Sequence, residues 1–483
     1  MAERYDLIIV GMGSGGMVSA EFAASLGLRV AVVERSRIGG DCLWTGCVPS
    51  KALLASAKAA HTMRHADHYG LTAVVPEIDT ARVWARIRAI QEAIAATDDS
   101  AERYEAMGVD IIRGAAHLSG PTEVLVDGVR RLESRYVLLC TGSRPAEPDI
   151  EGLAEAGFLT SETLFGLERP PASVVMIGGG PIAIEMAQGF NRLGITTTVL
   201  QKGAGILPRD EPGLVEILTA KLRTEGVDLH LGVDVKRVTV EDGHKVVHGT
   251  EAGVPMRWRA QDLLVAVGRR PNIEDLGLED VGVVLGDRGI EVDERLRTSV
   301  SSIYAAGDVA GRYLFTHSAG YEAVRAVRDM FFPGKGKADE LVPWCTFTDP
   351  ELAHAGLRSI EATDRHGDDV AVWRQDLQHS DRARAEGATD GAIVVVTVKD
   401  RVVGAHVLAP AAGEMIHELA LAIKEQLKLS SLAGFMHVYP TLSTGIGQLA
   451  AEVAFEKAGR FRWLIRGRTG GPAQAQEPSR VAR

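Results

Sequence analysis

Two short apolar runs, each stopped by a glycine-rich turn that opens a helix, constrain this chain more than any other feature. Asp6-Leu7-Ile8-Ile9-Val10 reads as a buried strand, and it runs into Gly11-Met12-Gly13-Ser14-Gly15-Gly16. A helix is expected from about Gly15 to Leu26, followed by a second strand, Arg29-Val30-Ala31-Val32-Val33, so the chain opens with a βαβ unit. The glycines have separate tasks. Gly11 permits the tight turn, Gly13 lets the backbone approach a pyrophosphate, and Gly16 lets helix and strand pack closely. The helix N-terminus, with its free N–H groups and about half a positive charge, then faces that pyrophosphate. Glu34, at the end of the next strand, is placed to hold a ribose 2′-hydroxyl. A glycine-rich turn alone is a weak sign; strand, helix and terminal acid together are a strong one for a dinucleotide.

The pattern repeats. Ser173-Val174-Val175-Met176-Ile177 leads into Gly178-Gly179-Gly180-Pro181-Ile182-Ala183, and the second unit closes near Thr198-Val199-Leu200. Ala183 replaces the third glycine, which the motif tolerates. The terminal acid is missing here. Gln201 stands in its place, with Lys202 next and Arg209 a little further on. A carboxylate would repel a 2′-phosphate, whereas Lys and Arg would pair with it, so this site points to NADPH over NADH.

Between the two lies Gly39-Gly40-Asp41-Cys42-Leu43-Trp44-Thr45-Gly46-Cys47-Val48-Pro49-Ser50-Lys51. In a regular helix the offset of Cys42 and Cys47 separates their Cα atoms by roughly 8.6 Å. A disulfide needs about 4.4–6.8 Å. A bridged pair therefore requires a distorted turn, which Gly46 can supply. A thiolate near a helix N-terminus is also the better nucleophile. Zinc is the competing reading, but no further ligands stand at finger-like spacing, and no metal site is expected. Two dinucleotides beside a redox-active pair imply that one delivers hydride and the other relays electrons to the thiols, a task for a flavin.

The rest of the chain frames these motifs. At 483 residues it is long enough for about three domains. A net charge of -11 argues against nucleic acid and anionic membrane as partners. No apolar run is long enough to span a bilayer, and the charged start of the chain leads straight into a strand, which argues against a secretory signal and for a cytoplasmic location. Of the four cysteines, Cys140 and Cys345 lie apart from the pair; the strand setting of Cys345 suggests a core thiol. Residues 50 to 107 read as helical, with Val83, Ile87, Ile90 and Ile94 forming one apolar stripe of a scaffold helix. Tyr136-Val137-Leu138-Leu139-Cys140 is a strand that stops at Thr141-Gly142. Ile303-Tyr304-Ala305-Ala306-Gly307-Asp308 follows a second change of pattern. From about Val342 strands and helices alternate without a phosphate loop. Residues 468 to 483, rich in Gly, Pro, Gln and Arg, read as a disordered tail.

Taken with Thr141-Gly142-Ser143-Arg144-Pro145, Val267-Gly268-Arg269-Arg270-Pro271-Asn272, Ala306-Gly307-Asp308 and Pro350-Glu351, the chain resembles the pyridine nucleotide–disulfide oxidoreductases, the family of dihydrolipoamide dehydrogenase, glutathione reductase and mercuric reductase. The wording around the cysteines is closest to the mercuric-reductase-like branch. The resemblance implies an α/β fold of two Rossmann-like dinucleotide-binding domains plus a C-terminal α+β dimerisation domain. The FAD-binding domain would span 1–151 and 275–341, the NAD(P)H-binding domain 152–274 and the dimerisation domain 342–467. It further implies that Gly11, Gly13, Gly16, Glu34, Thr141, Gly142, Gly307 and Asp308 serve FAD, and that Gly178, Gly180, Gln201, Lys202, Arg209 and Gly268 serve the nicotinamide cofactor. Cys47 would lie against the flavin and Cys42 would exchange with a small-molecule acceptor. Lys51 would pair with Glu185 beside the flavin ring. The working form would be a homodimer whose active site is completed by the partner's third domain.

One segment departs from the family. Its disulfide-handling members keep a His before a Pro near the C-terminus and a Glu five residues on; here Tyr439 and Thr444 occupy those places, in His437-Val438-Tyr439-Pro440-Thr441-Leu442-Ser443-Thr444. Tyr titrates near 10 and His near 6.5, a gap of about 4.8 kcal/mol, so Tyr439 is a poor base at neutral pH. His437 is the other candidate base, but two residues away it is expected to face elsewhere, and a structural role suits it better. No cysteine follows Cys345, so the C-terminal pair that hands metal inward in mercuric reductases is missing. The expectation is an NAD(P)H-dependent flavoenzyme with an unusual acceptor: a quinone, a metal ion or a small disulfide. Dihydrolipoamide dehydrogenase and a non-turnover redox sensor are the alternatives.

Overall fold

Alternating burial explains the first strand, Glu3–Val10. Ile8 and Val10 enter one apolar layer and Leu7 and Ile9 the other, and all four are buried. A parallel strand covered on both faces has no room for polar side chains, which is why the run is uninterrupted. Burying each such side chain contributes about 1.5–3 kcal/mol. The Leu7 and Ile9 layer is closed by alanines and Val327 of two helices, Ser14–Ser25 and Thr316–Phe331.

The computed structural model describes residues 3–332, 334 and 336–459. In the first sheet Glu3–Val10 lies between Val30–Glu34 and Arg130–Leu139, with Val109–Arg113 outside Val30–Glu34 and Ile303–Ala305 also on Arg130–Leu139; these pairings are parallel. A second parallel sheet runs Asp228–Leu231, Thr196–Gln201, Ser173–Ile177, Asp262–Val265. An antiparallel ribbon of Val233–Glu241, His244–Glu251 and Val254–Ala260 is inserted between Asp228–Leu231 and Asp262–Val265. Each glycine turn leaves the C-terminal end of an inner strand, the usual ligand edge of an open α/β sheet.

The chain divides into two compact units, 1–352 and 353 onward. The second is built on antiparallel Val370–Asp376, Ala392–Val398 and Arg401–Ala409, with helices Ser359–His366, Ala412–Lys424 and Thr444–Gly459. Among the described residues no helix is long and apolar enough to cross a membrane. The tail expected at 468–483, and the end of the expected third domain from 460 to 467, lie outside the described residues.

The helical reading of 50 to 107 needs correction. Helices cover Cys47–Arg64, Thr80–Ala95 and Ala101–Ala106, but 71 to 79 is non-helical. Thr72, Val74 and Val75 are β-branched, and Pro76 disfavours helical backbone before it. The buried stripe of Thr80–Ala95 is also rotated, to Trp84, Ile87 and Gln91. Trp84 carries the largest apolar surface and donates to Leu164 O at 3.1 Å.

Candidate active site

The first glycine turn is shaped for close backbone approach. Gly11 has φ +95°, and a Cβ there would lie 2.5 Å from Cys140 O. A Cβ on Gly16 would lie 2.0 Å from Gly11 O. At Gly13 it would meet only Gly40 Cα, at 3.7 Å, so the space over this turn is open. Gly13 caps Ser14–Ser25, which has no side-chain cap and no acid in its first turn, leaving its amides to an outside anion. Buried Glu34 accepts from Met12 N and Ser36 N, both at 2.6 Å, and so ties the turn to the strand end. This open, amide-lined cradle fits a dinucleotide pyrophosphate.

Residues from distant sequence close the same edge. Thr141 Oγ1 donates to Asn272 O at 2.7 Å and Asn272 Nδ2 returns a bond to Thr141 O at 2.9 Å; Asn272 N donates to Gly142 O. Gly268, at φ +140°, accepts from Ala146 N. Asp308 accepts from Ser143 Oγ and lies 3.7 Å from Arg269 Nε. Burial holds its carboxyl above the usual range. Arg269 also reaches Asp41, beside Cys42, at 3.3 Å. Two residues missed by sequence reasoning belong here. Buried Glu322 accepts from Gly307 N at 2.9 Å and so orients the turn before Asp308. Thr316 is described below. Neither sits in a motif; only the fold brings them in.

Helix Gly40–Trp44 ends before Cys47 starts a new one, Cys47–Arg64, with Gly46 between them at φ −120°, ψ −107°. The distorted turn required by the cysteine spacing is present, and both cysteines are free thiols. Cys47 Sγ lies 3.2 Å from Thr316 Oγ1. Neighbouring Cys42 first, then Thr316 and the Lys51 charge, pull the Cys47 thiol down to about 6, while Cys47 and burial push the Cys42 thiol up. Cys42 therefore holds its proton more tightly than Cys47 does. Because this pKa is depressed below an ordinary thiol at about 8.5, the thiolate persists at neutral pH and is lost as pH falls through about 6. An ultraviolet thiolate titration of the reduced protein should show that step; a single step near the ordinary thiol value would refute it.

Lys51 Nζ donates to Glu185 Oε2 at 2.9 Å and sits 4.2 Å over the Phe347 ring, and the backbone N–H of Phe347 donates to Glu185 Oε1 at 2.9 Å. Glu185 is buried while Lys51 is partly open, so the pair presents its ammonium outward. Cys345 lies on strand Trp344–Thr346, but it is half-buried rather than in the core; its neighbours include Glu351, Glu185 and Lys51, and burial raises its thiol. The short strand is too open at its edge to bury it fully. Cys140 is the buried thiol, pushed up to about 12 by burial and then by Glu322.

At the second turn Gly178 has φ +120°, and a Cβ there would lie 2.4 Å from Ala266 O. Gly180 caps helix Pro181–Arg192, and a Cβ there meets nothing within 4 Å. Gln201 packs over Gly179 and donates to Gly205 O at 3.2 Å. Lys202 is exposed within the field of Asp234, and Arg209 stacks 4.9 Å over Trp344. The open space at Gly180 fits a second pyrophosphate. Gly180→Val should keep the melting temperature and flavin content while raising KM for the nicotinamide cofactor about tenfold or more, with kcat little changed. Unaltered KM would place that cofactor elsewhere.

In the second unit Tyr439 OH donates to Asp381 Oδ2 at 2.9 Å, and that carboxylate raises the phenol further. His437 is half-buried, with Nε2 3.0 Å from Glu418 Oε1. In a regular strand two such positions would share a face, but 437–439 lies in no strand and the side chains find different partners. Thr444 bonds Thr441 N and Val438 O, not Tyr439. Among the described residues no cluster of three or more His, Cys, Asp or Glu is arranged to hold a metal.

Residues 5–323 match the family described as pyridine nucleotide-disulphide oxidoreductase, and residues 342–450 match its dimerisation domain. Dihydrolipoyl dehydrogenase of Bacillus subtilis is 32% identical over 480 residues, 95% of this chain and 100% of that protein. Glutathione reductase of Burkholderia cepacia is 36% identical over 447 residues, 91% and 97% of the two chains. Among solved structures, the Cu(II) complex of the HOCl-induced flavoprotein disulfide reductase RclA from Escherichia coli aligns with a TM-score of 0.82 at 26% identity, covering 94% of this chain and 100% of that one.

Proposed function

Because the chain belongs to the pyridine nucleotide-disulphide oxidoreductase family, we propose that it passes reducing equivalents from NADPH, by way of FAD, to the Cys42–Cys47 disulfide and on to a small acceptor that needs no histidine base, a quinone foremost. The chain is an FAD- and NAD(P)H-dependent oxidoreductase. FAD, when bound, accepts hydride and releases the electrons to a thiol–disulfide pair or another acceptor. The chain's own residues do the rest. Cys47 holds the thiolate, Cys42 carries the exchangeable proton, and the Lys51 ammonium, oriented by Glu185, supplies positive charge beside them.

One observation carries the choice of acceptor. The residue in the family's base position, Tyr439, is a phenol committed to Asp381, and the nearby His437 is committed to Glu418. A disulfide substrate must be protonated as it leaves, and losing a positioned base typically costs about 10²–10⁴ in rate. A quinone takes electrons and draws protons from water. The Cu(II) complex of the RclA neighbour favours a metal ion as the second acceptor class. The match over 342–450 supports a homodimer as the working form, and four cysteines in 483 residues suit a reducing, cytoplasmic setting rather than an exported disulfide scaffold. Lys202 and Arg209 support NADPH; Lys202→Ala should raise KM for NADPH and leave that for NADH unchanged.

The test is NADPH oxidation with lipoamide and with a benzoquinone. Quinone turnover should exceed lipoamide turnover by about 10²-fold or more. Fast lipoamide turnover would instead make the chain a dihydrolipoamide dehydrogenase and refute the reading of Tyr439.

A further inference from the structure

The two carbonyls that end helix Gly40–Trp44 are both taken by one side chain from a distant helix. Gln91, on Thr80–Ala95, donates through Nε2 to Leu43 O at 2.9 Å and to Trp44 O at 2.8 Å. The residue is 4% exposed. Only the NH2 end of an amide can serve two carbonyls, so the partners settle its orientation. Trp44 is gripped from another side: its Nε1 donates to Ile38 O at 2.7 Å, and the Arg37 guanidinium lies 3.9 Å over its ring.

In an uninterrupted α-helix those same carbonyls would accept from the N–H groups of Cys47 and Val48, four residues on. Such a helix would hold the Cys42 and Cys47 Cα atoms roughly 8.6 Å apart, beyond the about 4.4–6.8 Å of a disulfide. Here Thr45 N closes on Asp41 O at 2.9 Å, Gly46 leaves the helical region, and Ser50 N starts the next helix on Gly46 O at 3.1 Å.

We propose that Gln91 is a positioning residue for the redox pair: by occupying the Leu43 and Trp44 carbonyls it keeps the helix broken between Cys42 and Cys47. The proposal rests on reading those cysteines as the redox pair. Gln91 touches neither sulfur; it acts through the backbone. Without its amide, the carbonyls become available to Cys47 and Val48, and a continuous helix opens to the dithiol but stays closed to the disulfide. The same change draws the Cys47 N–H into a helix interior, so the thiolate loses the N-terminal field that favours it.

The full-length holoenzyme with Gln91→Met, of similar size but without donors, is equilibrated in glutathione buffers. Both thiols give up their protons and two electrons pass to glutathione disulfide, which leaves as two glutathione thiols while Cys42–Cys47 forms. The equilibrium should move about tenfold toward the dithiol, the differential worth of about one hydrogen bond, or about 30 mV for this two-electron couple. The Cys47 titration should move up with it, and flavin content should stay at the wild-type level. Gln91→Glu, of the same shape, should shift the same way while ionised, which keeps the test open if the Met variant fails to fold. A wild-type equilibrium and titration in the folded variants overturns the proposal alone. A wild-type enzyme that forms no Cys42–Cys47 disulfide overturns the redox reading and the proposal together.

Discussion

Cys47→Ser is expected to cut disulfide-dependent turnover by about 10³-fold or more, the scale seen when a covalent nucleophile is removed. The Cys47 thiol is pulled down to about 6 by Cys42, Thr316 and Lys51. A serine hydroxyl in the same surroundings stays protonated at neutral pH and forms no disulfide with Cys42. It can keep the contact with Thr316, so flavin content and melting temperature should hold. Steady-state NADPH oxidation by the variant, with a disulfide acceptor and with a benzoquinone, gives the readout. Quinone turnover that survives means that electrons leave the flavin directly. An equal loss on both routes means that the cysteines carry every electron out of the enzyme.

Gly16→Val should remove FAD and much of the stability that comes with it. A Cβ at this position would lie 2.0 Å from Gly11 O and 3.0 Å from Gly11 C, both backbone atoms that cannot swing aside. Relief requires moving either the strand end or the helix start, and both shape the open turn that fits a pyrophosphate. Overpacking costs about 1–3 kcal/mol, and losing a ligand held at about a thousandfold over its dissociation constant removes about 4 kcal/mol more. The protein should purify without flavin colour and melt several degrees lower. Gly13→Ala is the comparison. Its Cβ meets only Gly40 Cα at 3.7 Å, so the fold should persist and only FAD affinity fall. Full flavin content in Gly16→Val would mean that the first turn is not the pyrophosphate site.

How far the chain could be read in advance depended on whether a role is local. The glycine turns, their strands and helices, and the need for a break at Gly46 are written in contiguous residues, because turn conformation, strand burial and helix starts are short-range properties. The family and its FAD and NAD(P)H cofactors follow from those same motifs, and matches over 5–323 and 342–450 agree. Tyr439 in place of the usual base was visible for the same reason. Its hydrogen bond to Asp381, 58 residues away, was not.

Other features waited for the packed structure. Thr316 lies 269 positions from Cys47, Glu322 reaches back 15 to Gly307 N, and Gln91 reaches 48 and 47 to its two carbonyls. A polar residue inside an apolar stripe gives no sign in the sequence of which orphan carbonyls it will meet. Cys345 shows the opposite limit. Its strand was legible, but its half-burial beside Lys51 and Glu185 was not, since exposure depends on what neighbouring elements cover. Motif chemistry and local conformation were therefore determined by the sequence itself. Which distant donors and acids stand against the cysteines was decided only by tertiary packing, because hydrogen bonds between remote segments exist only after the sheets and helices have brought those segments together.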